Sequence, residues 1–131
     1  MPDDRRYDLC KYRIQNALES LEVAEDCLGN NHYKDAINRS YYAAFYAIKA
    51  VLALEEKDFR RHKDVIAYFN KTYVATSMFS KDTGRKIARL QQKREKSDYD
   101  DFYIASKEET IEQLEYAKEV ICEVQKYLNK Q

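Results

Sequence analysis

Arg94, Asp98 and Tyr99 form the segment best suited to chemistry. Arg94 follows Ile87 and Leu90 at spacings of three and four, so a helix carrying all three turns the guanidinium inward. A buried cation without a partner is expensive, so Arg94 needs a carboxylate or a phosphate. Asp98 stands one helical turn later and supplies the carboxylate if the helix runs on that far. In that reading the pair closes the end of the helix. In the other reading Arg94 takes a phosphate and Tyr99 or Tyr103 lies beside a base or ribose.

Two further positions raise the same question. Arg39, Tyr42, Tyr46 and Lys49 fall on one helical stripe. Arg39 can face solvent, pair with Asp35 one turn earlier, or line a cleft with Tyr42 and Tyr46 by cation–π contact. His62 titrates near neutrality and is a candidate general base, or a capping and core-lining group at a helix start. The other histidine, His32, is far away in sequence, and neither belongs to a metal-ligand spacing. Cys10, Cys27 and Cys122 are too scattered for a zinc site or a disulfide framework. No metal and no cofactor is expected, and two isolated glycines cannot build a phosphate loop.

These residues need helices to hold them. One proline and two glycines in 131 residues leave long stretches without breakers, enough for one domain with one core over residues 1–131. A first helix is expected over Asp8–Leu28, with Cys10, Ile14, Ala17, Leu21, Ala24 and Leu28 inward and Gly29 as its stop. A second is expected over Tyr33–Leu54. Its small-residue stripe, with Ala43, Ala47 and Ala50, admits a close neighbour, and apolar or aromatic residues on most sides make it the central element. A short helix over Lys63–Tyr73 follows, then a connection in which Phe79 is available as a plug. A fourth helix is expected from Asp82 or Thr83 to Lys96. The last opens with Ser106 and Glu109 as a capping box and carries Ile111, Leu114, Ile121, Val124 and Leu128 inward. The fold class is all-α, an antiparallel bundle of four to five helices.

Net charge is zero but unevenly spread. Residues 57–96 carry 12 basic and 4 acidic side chains, between two acidic segments. That excess either attracts a phosphate-bearing partner or is cancelled by acidic neighbours folded against it. Twelve tyrosines without a tryptophan suggest half-buried seams at a dimer interface or polar groove. Without a signal peptide or a bilayer-length apolar run, a cytoplasmic protein not associated with membranes is expected.

The stretch Asn38-Arg39-Ser40-Tyr41-Tyr42-Ala43-Ala44-Phe45-Tyr46-Ala47 resembles the signature helix of small prokaryotic HEPN-domain proteins (higher eukaryotes and prokaryotes nucleotide-binding). His62 through Asn70 resembles the short helix that follows it, and Arg94 through Phe102 resembles the R-x-x-x-D-Y segment. Together these cover roughly residues 8 to 128. The resemblance implies a dimeric helical bundle with its cleft near the subunit interface, a nucleotide or RNA ligand, and a minimal nucleotidyltransferase partner in a toxin–antitoxin pair. It implies nucleotide-binding roles for Arg94, Asp98, Tyr99, Arg39 and Tyr42. Catalytic relatives cleave RNA without metal through R-x(4 to 6)-H. Here Tyr99 and Asp100 stand where the histidine is expected, and no histidine follows Arg94. A ribonuclease would therefore need Arg94 together with His62 or Tyr99 as the base, although a tyrosine of ordinary pKa is a poor base at neutral pH. The remaining alternative is a non-catalytic structural or interaction bundle.

Overall fold

The computed structural model describes residues 5–131. Five helices pack as one bundle: α1 (Arg5–Gly29), α2 (Tyr33–Ala53), α3 (His62–Phe69), α4 (Lys81–Tyr99) and α5 (Lys107–Asn129). α2 is the centre. Thirteen of its 21 residues are buried, and α1, α4 and α5 all pack on it. Ala43, Ala47 and Ala50 are fully buried along it, and small side chains of this kind let a neighbouring helix come close.

The α1–α2 turn corrects one expectation. Gly29 is the last helical residue, and the left-handed position is Asn31, at φ 61°. Asparagine tolerates that conformation far better than branched residues do. The His32 amide then donates to the Cys27 carbonyl at 2.8 Å and closes the helix end.

α3 is shorter than expected, because Asn70–Val74 forms a single π-helical turn. The wider turn keeps Phe69 and Tyr73 both buried, and Phe79 plugs the cluster beside them. The Tyr73 and Tyr68 hydroxyls both donate to Glu55, just beyond α2. α4 meets this turn at Gly84, where a Cβ would stand 3.2 Å from Val74 Cγ1.

Ser80 caps α4, accepting from the Thr83 amide, and the helix continues past Lys96 to Tyr99. Asp98 is therefore helical, one turn after Arg94. At α5, Ser106 accepts from the Glu109 amide at 3.0 Å, and the Glu109 carboxylate faces back to the Ser106 amide. That carboxylate also accepts from the Tyr103 hydroxyl at 2.6 Å, so the capping box is shared with a third residue. The buried face of α5 is Thr110, Gln113, Leu114, Ala117, Val120, Ile121 and Val124, while Ile111 is exposed. Among the described residues, no helix is long and apolar enough to cross a membrane.

Candidate functional site

Residues from α2, α3 and α4 converge on the ring of Tyr42. The Arg39 guanidinium lies 4.9 Å from its centroid and that of Arg94 lies 5.6 Å away. Arg94 also sits over Tyr41 at 4.9 Å and donates from Nη2 to the Tyr42 hydroxyl at 3.2 Å. Its side chain is only 15% exposed. Asp98 Oδ2 stands 3.4 Å from Arg94 Nε, close enough for an ion pair. The alignment is too poor for a hydrogen bond, and that buried N–H has no acceptor. The Arg94–Asp98 pair expected from the sequence exists, with a donor left over.

Asn38 ties the two arginines together. Its Oδ1 accepts from Arg39 Nε and Nη2 at 3.2 and 2.9 Å, and its Nδ2 donates to Asp98 at 3.4 Å. Arg39 therefore leans on Asn38 and Tyr42, and no ion pair to Asp35 forms among the described residues. Sequence reasoning did not single out Asn38. Its position four residues before Tyr42 was the available signal.

His62 joins the cluster from α3. It stacks on Phe45 with centroids 4.0 Å apart, and its Nδ1 lies 3.0 Å from the Tyr41 hydroxyl. Burial pushes the Tyr41 hydroxyl far above the usual tyrosine range, so it stays protonated. Burial, then the nearby Arg94 and Lys49 charges, pull the imidazole below its ordinary value. His62 is therefore neutral at neutral pH. If the Tyr41 hydroxyl donates to Nδ1, Nε2 carries the proton and is a hydrogen-bond donor. If Nδ1–H donates to Tyr41, Nε2 is a base.

The candidates do not share one cleft. Arg94 and Tyr99 line an open groove with Gln92, Glu95, Lys96 and Asp100. Arg39 lines a separate depression with Tyr12, Glu19 and Tyr46. His62 belongs to neither and reaches Arg94 through Tyr41 and Tyr42. Tyr99 is 75% exposed at the rim. A separate cavity of about 350 Å³, lined by Tyr7, Cys10, Ile14, Leu54 and Leu128, lies toward the far end of α2. Among the described residues, no group of three His, Cys, Asp or Glu side chains is placed to hold a metal ion.

Acidic neighbours cancel part of the basic segment. Lys86 pairs with Asp82 and Glu119, and Lys93 pairs with Glu109 at 3.6 Å. A second missed residue is Arg13, which is 8% exposed and bonds the Lys49 carbonyl and Asp58, holding α1 to the end of α2.

Residues 10–127 match the HEPN domain family. The chain belongs to that family. A UPF0332 protein of Thermotoga maritima is 34% identical over 91 residues, spanning 70% of this chain and 69% of its own. A Methanocaldococcus jannaschii protein named "Putative toxin" is 30% identical over 115 residues, 88% of this chain and 78% of its own. The crystal structure of TT1696 from Thermus thermophilus superposes with a TM-score of 0.75. It covers 90% of this chain and 97% of that one at 19% identity, a likeness of fold. Within this HEPN bundle, the signature helix is α2 and the R-x-x-x-D-Y segment ends α4, so the two motifs meet at Tyr42 and Asn38.

The lowered His62 pKa has a consequence for stability. Between its folded value and the ordinary 6.5, the unfolded chain binds a proton that the folded chain does not. Stability contributed by neutral His62 is thus complete above the ordinary value and is lost as pH falls through this window. His62→Gln flattens the acid side of the stability profile between about pH 7 and pH 5. Urea melts of both proteins across that range check it, and equal slopes would refute it.

Proposed function

We propose that this HEPN protein is the toxin-side member of a toxin–antitoxin pair, a homodimer that binds RNA or a nucleotide through phosphate at Arg94 and acts with a minimal nucleotidyltransferase. One observation carries the ligand assignment. Arg94 is held over two tyrosine rings, 4.9 and 5.6 Å from their centroids, with a buried N–H that has no acceptor. A guanidinium fixed in this way is prepared for an anion, since fewer rotamers are lost on binding. Tyr99 beside it offers a face on which a base can stack. The relatives named as toxins support the cellular role. Phe102 and Ile104 are 93 and 87% exposed, apolar area that a second subunit would cover.

The test is fluorescence anisotropy with a short single-stranded RNA, with thermal shifts on adding nucleotides. Saturable binding that weakens steeply between about 50 and 200 mM salt is expected. No binding and no shift would reduce the protein to a structural bundle.

A second reading, metal-independent ribonuclease, is favoured by one contact. The fold brings His62 onto Tyr41 beneath Arg94. In that reaction the 2′-oxygen attacks the adjacent phosphorus, His62 Nε2 takes the hydroxyl proton, and the 5′-oxygen departs with a proton from water, whose hydroxide is neutralised by the proton on His62, leaving a 2′,3′-cyclic phosphate. Arg94 would carry the charge on the phosphoryl oxygens. Cyclic phosphate ends formed in the presence of a chelator, and lost in His62→Gln, are the expected products.

A further inference from the structure

A second depression lies on the other side of α4, between α4 and α5. It is lined by Arg89, Gln92, Lys93, Lys96, Glu112 and Gln113, with a volume of about 190 Å³. Gln92 and Lys96 also line the Arg94 groove, so the two depressions are continuous across one ridge of α4. From residue 89 to residue 96 the helix rises roughly 10 Å, more than one phosphate occupies.

The floor of this depression is unusual. Gln113 is 1% exposed, yet its Oε1 has no hydrogen-bond partner. A buried amide oxygen left in this way costs stability, and native proteins keep few of them. The walls are cationic. Arg89 and Lys96 have no ion pair among the described residues, and Lys93 reaches Glu109 only at 3.6 Å. Glu112 is the one carboxylate in the lining, so positive charge dominates here. In the Arg94 groove, by contrast, Glu95 and Asp100 share the lining with Arg94 and Lys96, and Asp98 pairs with Arg94.

We infer that this depression is a second RNA subsite, which holds a neighbouring phosphate of the strand whose first phosphate lies at Arg94. Arg89, Lys93 and Lys96 meet the phosphate oxygens. The buried Gln113 amide, turned outward, accepts through Oε1 from a ribose 2′-hydroxyl, a donor that RNA carries and a bare phosphate lacks. The site rests on the RNA-binding reading and deepens it: the ligand is a strand of two or more nucleotides, bound across α4.

The experiment compares uridine monophosphate with a short oligouridine RNA on the folded wild type, Arg89→Glu and Gln113→Leu. Arg89 is exposed and lies outside the Arg94 groove, so its replacement leaves mononucleotide binding unchanged. Oligouridine affinity falls at least tenfold in Arg89→Glu, and the salt dependence of binding becomes shallower. Gln113→Leu removes an orphan acceptor, so its melting temperature holds or rises while oligouridine affinity falls. If both variants bind the oligomer as the wild type does, the second subsite is overturned and the Arg94 site stands. If the wild type binds neither probe, both fall together.

Discussion

Arg94→Ala loses RNA binding by about tenfold to a hundredfold while remaining folded. Hydrogen bonds to a charged group contribute about 1.5–3 kcal/mol, which sets that range. The structural cost is smaller. Asp98 is 31% exposed at its side chain, so water reaches it once the guanidinium is gone. Breaking a fully buried pair would cost about 3–5 kcal/mol, and this half-open pair should not reach that. What is lost is the contact with Tyr41 and Tyr42, about 0.5–1 kcal/mol for each ring, with one hydrogen bond to a tyrosine hydroxyl. A stability loss of about 2–3 kcal/mol follows. Arg94→Lys separates charge from shape. It keeps the cation but not the planar guanidinium over the rings, so it recovers part of the affinity and little of the ring contact. Anisotropy and urea melts on the three proteins check both halves. A folded Arg94→Ala that binds RNA as the wild type does would remove the phosphate site.

The helices were legible because their periods are strong. Ile87, Leu90 and Arg94 share one phase, and the structure buries the first two and leaves Arg94 mostly covered on the same face of α4. The alanine stripe of α2 likewise marked the centre of the bundle. Features set by tertiary contact were not legible. Nothing local shows that Glu109 also takes the Tyr103 hydroxyl, or that Asn70–Val74 widens into a π turn where Gly84 approaches. The meeting of His62 with Tyr41 depends on how residues 54–61 return α3 to the middle of α2, a long-range matter that spacing cannot encode. Arg13 was hidden for a different reason. An arginine on an apolar stripe looks like a solvent-facing interruption until its carbonyl and carboxylate partners are seen. Asp98 was legible only conditionally, and the extra turn of α4 decided it.

Phe45→Ala costs stability and alters the chemistry of His62 together. Phe45 is 4% exposed, stacks on His62 at 4.0 Å and on Tyr41 at 5.7 Å, and carries the Lys49 ammonium 5.8 Å above its ring. Truncating a core phenylalanine typically costs about 3–5 kcal/mol, from lost transfer energy and the cavity left behind. The melting temperature drops by roughly 10 °C or more for a chain of this size. The same cavity admits water beside the imidazole. Burial is the leading cause of the lowered His62 pKa, so hydration moves it back up toward the ordinary value. Phe45→Leu keeps most of the volume and should cost less stability, while still losing the ring face against His62. The chain has only two histidines, so the titration of His62 is separable from that of His32 by proton NMR, with His62→Gln identifying the signal. A rise in the His62 midpoint in Phe45→Ala, with Phe45→Leu between it and the wild type, would show that this ring sets the protonation state at the site. An unchanged midpoint in a destabilised Phe45→Ala would instead assign the shift to the Arg94 and Lys49 charges. In that case Arg94→Ala becomes the variant that raises the midpoint, because removing a nearby positive charge makes the imidazolium easier to form.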